Sequence, residues 1–151
     1  MRFVDDYLAY LLARASHLVS SAHHARLARR GVPVGVWRVL ATLSDGVPMT
    51  VGELAERCLM KQPTLTKLLD RMERDGLVRR LSVPEDRRKV RVAITTEGER
   101  RVAPLLREAK ACEREVLAQL SEGEAVALKN ALRGLLARLE AARGAAMQAG
   151  E

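Results

Sequence analysis

A mainly α-helical fold carrying one small β-hairpin is what this 151-residue sequence predicts, on three observations. The composition is 48% hydrophobic but only 3% aromatic, which favours helix packed on helix over sheets or aromatic-lined catalytic clefts. Apolar residues recur at threes and fours through most of the chain, the period of a helix face. One stretch, SVPEDRRKVRVAITTEG from Ser82 to Gly98, breaks that period with two β-branched runs around a charged tip. The length suits one domain with a single core.

Val4, Tyr7, Leu8, Leu11, Leu12, Ala15, Leu18, Val19 and Ala22 share one helical face, so an amphipathic helix should run from Val4 to about Arg30. Gly31 and Pro33 end it. A second helix, about Val34 to Leu43, carries Val36, Trp37, Val39 and Leu40, and the turn SDGVP follows. Thr50 stands three residues before Glu53, the spacing of a capping box, and opens a short third helix from about Val51 to Cys58.

In the fourth helix Pro63 suits the first turn, Leu65, Leu68, Leu69 and Met72 make an apolar stripe, and Gly76 supplies the stop. At about 100° per residue, the opposite side carries Pro63, Thr66, Lys67, Asp70, Arg71 and Arg74, with Gln62 and Thr64 flanking its first turn. LVRRLSV and VRVAIT then read as strands joined by PEDRRK, a loop longer than two residues. Thr96 and Glu99 offer another capping box, for a helix to about Leu120 that Pro104 should bend near its start. Ser121 with Glu124 opens the last helix, to about Met147, and the tail QAGE should fray.

Charge narrows the function classes. A net charge of +7 and a pI near 10.1 attract polyanions, either nucleic acid or an anionic membrane. No apolar run approaches the ~20 residues of a membrane span, and the N-terminus lacks a signal peptide's basic-then-apolar order. A cytoplasmic chain with no membrane partner is expected. There is no clustered nucleophile and base, metal motif or glycine-rich phosphate loop, so the sequence points to a non-enzyme without a cofactor. His17, His23 and His24 offer no i,i+4 chelate pair, since His17 and His24 are seven residues, about 10.5 Å, apart along the axis. No metal site is expected.

Helix, helix, capped short helix, turn, basic-faced helix and hairpin, in that order, make a winged helix-turn-helix, whose second motif helix enters the DNA major groove. That reader is Gln62 to Asp75. Gln62 suits adenine, Thr64 and Thr66 suit base edges or a thymine methyl, and Pro63, Lys67 and Arg71 complete the face. Residues 1–30 are read as the N-terminal helix of a dimerisation region, 31–97 as the DNA-binding core and 98–151 as C-terminal dimerisation helices, all in one integrated domain. The terminal helices expose more apolar surface than one domain covers, which calls for a second copy. A non-specific architectural DNA binder is the alternative from another class.

The segment LAERCLMKQPTLTKLLDRMERDGLVRRLSVPEDRRKVRVAITTEG, Leu54 to Gly98, resembles the multiple antibiotic resistance regulator (MarR) family of bacterial transcription factors. The DGLVRR turn and the PEDRR...ITTEG wing carry most of that likeness, and the long terminal helices extend it over the chain. The resemblance implies a homodimer, helices of one subunit pairing with those of the other, on a pseudo-palindromic operator. It implies that Asp86 holds Arg88 by an ion pair while Arg88 reaches into the minor groove; Arg87 and Lys89 then meet phosphates at the tip. It implies a repressor released by a small aromatic or anionic ligand, with Arg14, His17, His24, Trp37 and Arg38 as pocket candidates. Peroxide-responsive relatives place a cysteine near the start of the first helix, where this chain has none. Cys58 lies near Arg57 and Lys61, whose charge would lower its pKa, so a thiol switch is the other variant.

Overall fold

The computed structural model describes residues 1–150, apart from the side chain of Arg87. Six helices and three strands follow in the order α1 (Leu8–Arg29), α2 (Val34–Thr42), β1 (Met49–Thr50), α3 (Val51–Arg57), α4 (Gln62–Arg74), β2 (Val78–Val83), β3 (Asp86–Ile94), α5 (Thr96–Leu117) and α6 (Glu122–Ala149). A 3-10 turn over Phe3–Asp6 precedes α1. The chain forms two compact units, one from Met1 to Cys112 and one from Glu113 onward.

The helix boundaries follow local chemistry. Gly31, at φ +66, and Gly76, at φ +74, adopt the left-handed backbone that ends α1 and α4 without a Cβ penalty. At α3 the capping box is closed in both directions: the Glu53 N–H donates to Thr50 Oγ1 at 3.2 Å and the Thr50 N–H donates to Glu53 Oε2 at 3.0 Å. Ser121 and Glu124 repeat it at α6, at 3.2 and 2.8 Å. At α5 the cap is Thr95 rather than Thr96. Its Oγ1 accepts from the Gly98 N–H at 3.0 Å and donates to the Gly76 carbonyl at 2.6 Å, a tertiary bond that Thr96 does not make. α5 runs on through Pro104, and α6 includes the Gln148 and Ala149 expected to fray.

The hairpin is tighter and wider than its sequence indicates. Only Pro84 and Glu85 form the turn, because Val83 already pairs with Asp86. Neither Pro84 nor Glu85 has a positive φ, and the fixed φ of Pro84 suits the first corner of a type I or II turn. Ser82 then pairs with Val90, so Arg87, Arg88 and Lys89 are carried as an irregularity within β3 instead of a free loop. The short β1 adds a third strand, Met49 opposite Val92 and Thr50 opposite Arg91, giving the sheet order β1-β3-β2.

One core holds the first unit together: Leu27 of α1, Val39 and Leu40 of α2, Leu54 of α3, Leu65, Leu69 and Met72 of α4, Val92 of β3 and Leu105 of α5. The predicted stripe of α1 lies elsewhere. Leu8, Leu11, Leu12, Leu18 and Val19 are exposed, and the residues of α1 that are buried are His23 and Leu27. In the second unit no residue of α6 is buried, and Val126, Leu128, Leu132, Leu136 and Leu139 face solvent. No helix among the described residues is long and apolar enough to cross a membrane.

Candidate nucleic-acid interface

α4 presents a face because its other side is pinned. Leu65 and Leu69 are fully buried and Met72 is 1% exposed, which fixes the helix rotation. Gln62, Pro63, Thr64, Thr66, Lys67 and Arg71 are all brought to solvent, and a shallow groove is lined by Pro63, Thr64, Lys67, Leu68 and Arg71. Thr66 Oγ1 donates to the Gln62 carbonyl at 2.9 Å, so its methyl and its acceptor lone pairs stay available. The turn into α4 passes through Leu59, an exposed non-glycine at φ +58.

The same helix is tied to the sheet from the side. Arg80 of β2 places Nη2 2.7 Å from Asp70 Oδ1 and Nη1 3.7 Å from Glu73 Oε1. Its main-chain N–H donates to Glu73 Oε2 at 2.9 Å. In the sequence Arg80 is hidden as one of two neighbouring arginines; the strand's alternation sends Arg79 to solvent and Arg80 to α4.

In the wing, Asp86 does not pair with the Arg88 guanidinium as the resemblance implies. Asp86 Oδ1 accepts from the Arg88 main-chain N–H at 3.0 Å, so the carboxylate shapes the backbone of the tip. The Arg88 guanidinium is exposed and has no ion pair among the described residues, and Lys89 is exposed beside it. The side chain of Arg87 lies outside the described residues.

The five pocket candidates are only partly brought together. Trp37 and Arg38 are half-buried neighbours on α2, and His24 is half-buried on α1. His17 is exposed, and Arg14 turns outward to donate to the Tyr10 hydroxyl at 3.0 Å. The residue against Trp37 is His23, with ring centroids 4.5 Å apart, edge to face. Among the described residues neither His23 nitrogen has a hydrogen-bond partner, and neither does Oε2 of Glu108, the carboxylate whose Oε1 is held by Arg30. Sequence spacing gave no reason to prefer His23 over His24; its burial against α2 is a tertiary fact. Among the described residues no three His, Cys, Asp or Glu side chains could hold a metal together.

Burial, reinforced by the charge of His24, holds the His23 pKa below 6.5 against the opposing pull of Glu108. In the unfolded chain this imidazole binds its proton near 6.5, so the unfolded state takes up more protons than the folded one as the pH drops past that value. Stability contributed by neutral His23 is thus complete above pH 6.5 and declines below it, by at most ~1.4 kcal/mol per pH unit. Urea unfolding at pH 7.5 and 5.5 should show a smaller pH difference in His23→Leu than in the wild type.

Cys58 runs opposite to expectation. It is fully buried, and desolvation pushes its thiol pKa up, more than the Thr42 hydroxyl and the Arg38 charge pull it down. The lowering expected from Arg57 and Lys61 does not operate, which removes the premise of a thiol switch. Cys112 is a buried free thiol as well.

A sequence profile described as MarR family matches residues 30–89. The Escherichia coli homoprotocatechuate degradative operon repressor is 34% identical over 96 residues, 64% of this chain and 65% of that protein, so the chain spans just under two thirds of its length. The HTH-type transcriptional regulator PecS of Dickeya dadantii is 32% identical over 85% of this chain and 77% of its own. Among solved structures, the MarR family transcriptional regulator SPO1453 from Silicibacter pomeroyi superposes with a TM-score of 0.82 at 37% identity, covering 92% of this chain and 99% of that one. NadR in complex with 4-hydroxyphenylacetate gives 0.69 at 26% identity, covering 82% and 88%.

Proposed function

The chain belongs to the MarR family of winged helix-turn-helix transcription regulators, and from that premise we propose a sequence-specific, homodimeric repressor released from a pseudo-palindromic operator by a small ligand. The family consists of regulators and not enzymes. The observation that supports the reading most is the joint geometry of α4 and the wing. A polar and basic helix face, rotationally fixed by its buried side, is followed in the chain by a wing whose exposed Arg88 guanidinium has no ion pair among the described residues.

In this reading Gln62, Thr64 and Thr66 meet base edges, while Lys67 and Arg71 neutralise phosphates and Pro63 opens the helix. Asp86 shapes the tip, Arg88 enters the minor groove, and Arg87 and Lys89 add charge there. The open apolar faces of α1 and of α6 each favour a second copy of the chain, since leaving them in water forfeits their burial. Two reading helices then address half-sites with centres about 10 bp apart. The effector is an aromatic or anionic molecule received near Trp37 and Arg38, with Arg14, His17 and His24 as further candidates. The unpartnered nitrogens of His23 support a polar group there, and a relative that represses a homoprotocatechuate degradative operon and a neighbour holding 4-hydroxyphenylacetate support the ligand class.

Selection of duplexes from a randomised library tests the reading directly. A specific regulator enriches two related half-sites; equal competition by random DNA would establish the architectural alternative instead. Arg88→Ala should weaken binding to the selected duplex and reduce the log-log salt slope by about one unit. A slope equal to the wild type's would mean that the wing does not engage phosphate or groove.

A further inference from the structure

We infer that Arg80 is the positioning residue that sets the reading helix against the wing and so determines which DNA sequence is selected, an inference that rests on the DNA-binding reading above. Arg80 stands on β2 opposite Val92 of β3, the strand that also carries Arg88. From there its guanidinium reaches three residues of α4: Asp70 at 2.7 Å, Glu73 at 3.7 Å and the Thr66 carbonyl at 3.5 Å. At about 100° per residue, positions 66, 70 and 73 fall within about 60° of one another, so they form one stripe along the helix. A single side chain from the wing sheet therefore grips two turns of the reader.

Two physical consequences give this grip a role in recognition. The buried stripe of α4 fixes which side faces the core, but base contacts depend on smaller displacements than a hydrophobic contact resists. A planar guanidinium held by two carboxylates and a carbonyl supplies the directional restraint that apolar packing lacks. Charge is the second consequence. Asp70 and Glu73 are the acids of a helix otherwise presented to phosphates, and their side chains are 56% and 42% exposed. Arg80, at 27%, is more buried than either, so its neutralising charge is less screened by salt than an open cation's. Without it, the two carboxylates would offset the charge of Lys67 and Arg71 toward the DNA backbone.

The test compares Arg80→Met, which keeps the length and removes the charge, with Arg80→Lys, which keeps the charge and loses the fork. Binding is measured on the duplex that the wild type selects and on a random duplex of equal length, at several salt concentrations. The expected result for Arg80→Met is at least about a tenfold loss on the selected duplex and less than about a threefold change on the random one, with Arg80→Lys in between. The salt slope should stay at the wild-type value, because Arg80 is spent on the protein. Equal losses on both duplexes with a slope lower by about one unit would make Arg80 a plain phosphate contact and overturn the inference. Unchanged affinity would overturn it too. Should Arg80→Met lose its helical circular dichroism, Asp70→Asn combined with Glu73→Gln cuts the same tie from the other end. The ratio of selected to random affinity must then fall at least about tenfold, and an unchanged ratio overturns the inference. A wild type that enriches no sequence at all would overturn the DNA-binding reading before any variant is compared.

Discussion

Gly98→Ala is expected to destabilise the protein by about 3 kcal/mol, because no other glycine of the chain would bring a new Cβ so close to its neighbours. A Cβ at this position would lie 2.2 Å from the Leu77 carbonyl oxygen and 2.7 Å from Ile94 Cγ1. The first obstacle is backbone and cannot rotate away. That carbonyl also accepts the Thr95 N–H at 3.1 Å, so moving it breaks the bond that seats the start of α5 on the end of the α4 turn. Thermal unfolding should fall by roughly 6–12 °C for a chain of this size. Gly52→Ala is the matched control, since its new methyl group meets nothing within 4 Å. Equal melting temperatures for the two variants would refute the close approach.

Leu132→Glu combined with Leu136→Glu should have the largest effect on function. These side chains are one helical turn apart on α6 and are 37% and 57% exposed in the single chain, so charging them costs its own fold little. In the proposed dimer the same carboxylates would be buried without partners, a cost of several kcal/mol per copy. Sedimentation should then report the single-chain mass of 16.7 kDa at concentrations where the wild type is paired. Affinity for the selected duplex should drop by about two orders of magnitude or more, because each half-site is then bound alone. A variant that still sediments as a pair would place the interface elsewhere.

The helices were legible in the sequence wherever a cap, a stop and a stripe agreed. Thr50 with Glu53, Ser121 with Glu124, and Gly76 after the Leu65–Met72 stripe each placed a boundary to within a residue or two, since those signals act over four residues. What the sequence hid was set by contacts between elements. Thr95 displaces Thr96 as the cap because a carbonyl from another turn, that of Gly76, rewards it. β1 is two residues long and has no periodicity to detect. The tip residues 87–89 read as loop because charged side chains disfavour strands, yet main-chain pairing on either side absorbs them.

The candidate site divides along the same line. The exposed face of α4 follows from helical spacing alone, and all six of its named residues are where that spacing puts them. Arg80 is different, because its role depends on which strand residue points at Asp70 and Glu73. His23 is hidden likewise, since two adjacent histidines look alike until one is buried against Trp37. Cys58 shows the converse error: neighbours in sequence suggested an activated thiol, whereas burial dominates its chemistry.

The contact between His23 and Trp37 has an optical consequence. The chain contains one tryptophan, so all of its indole emission originates at this corner between α1 and α2. An imidazole whose centroid lies 4.5 Å from that of the indole quenches more strongly once it carries a proton, and any molecule that separates the two rings relieves that quenching. The protein thus carries its own fluorophore where an effector is proposed to arrive, and a titration read at that wavelength needs no label.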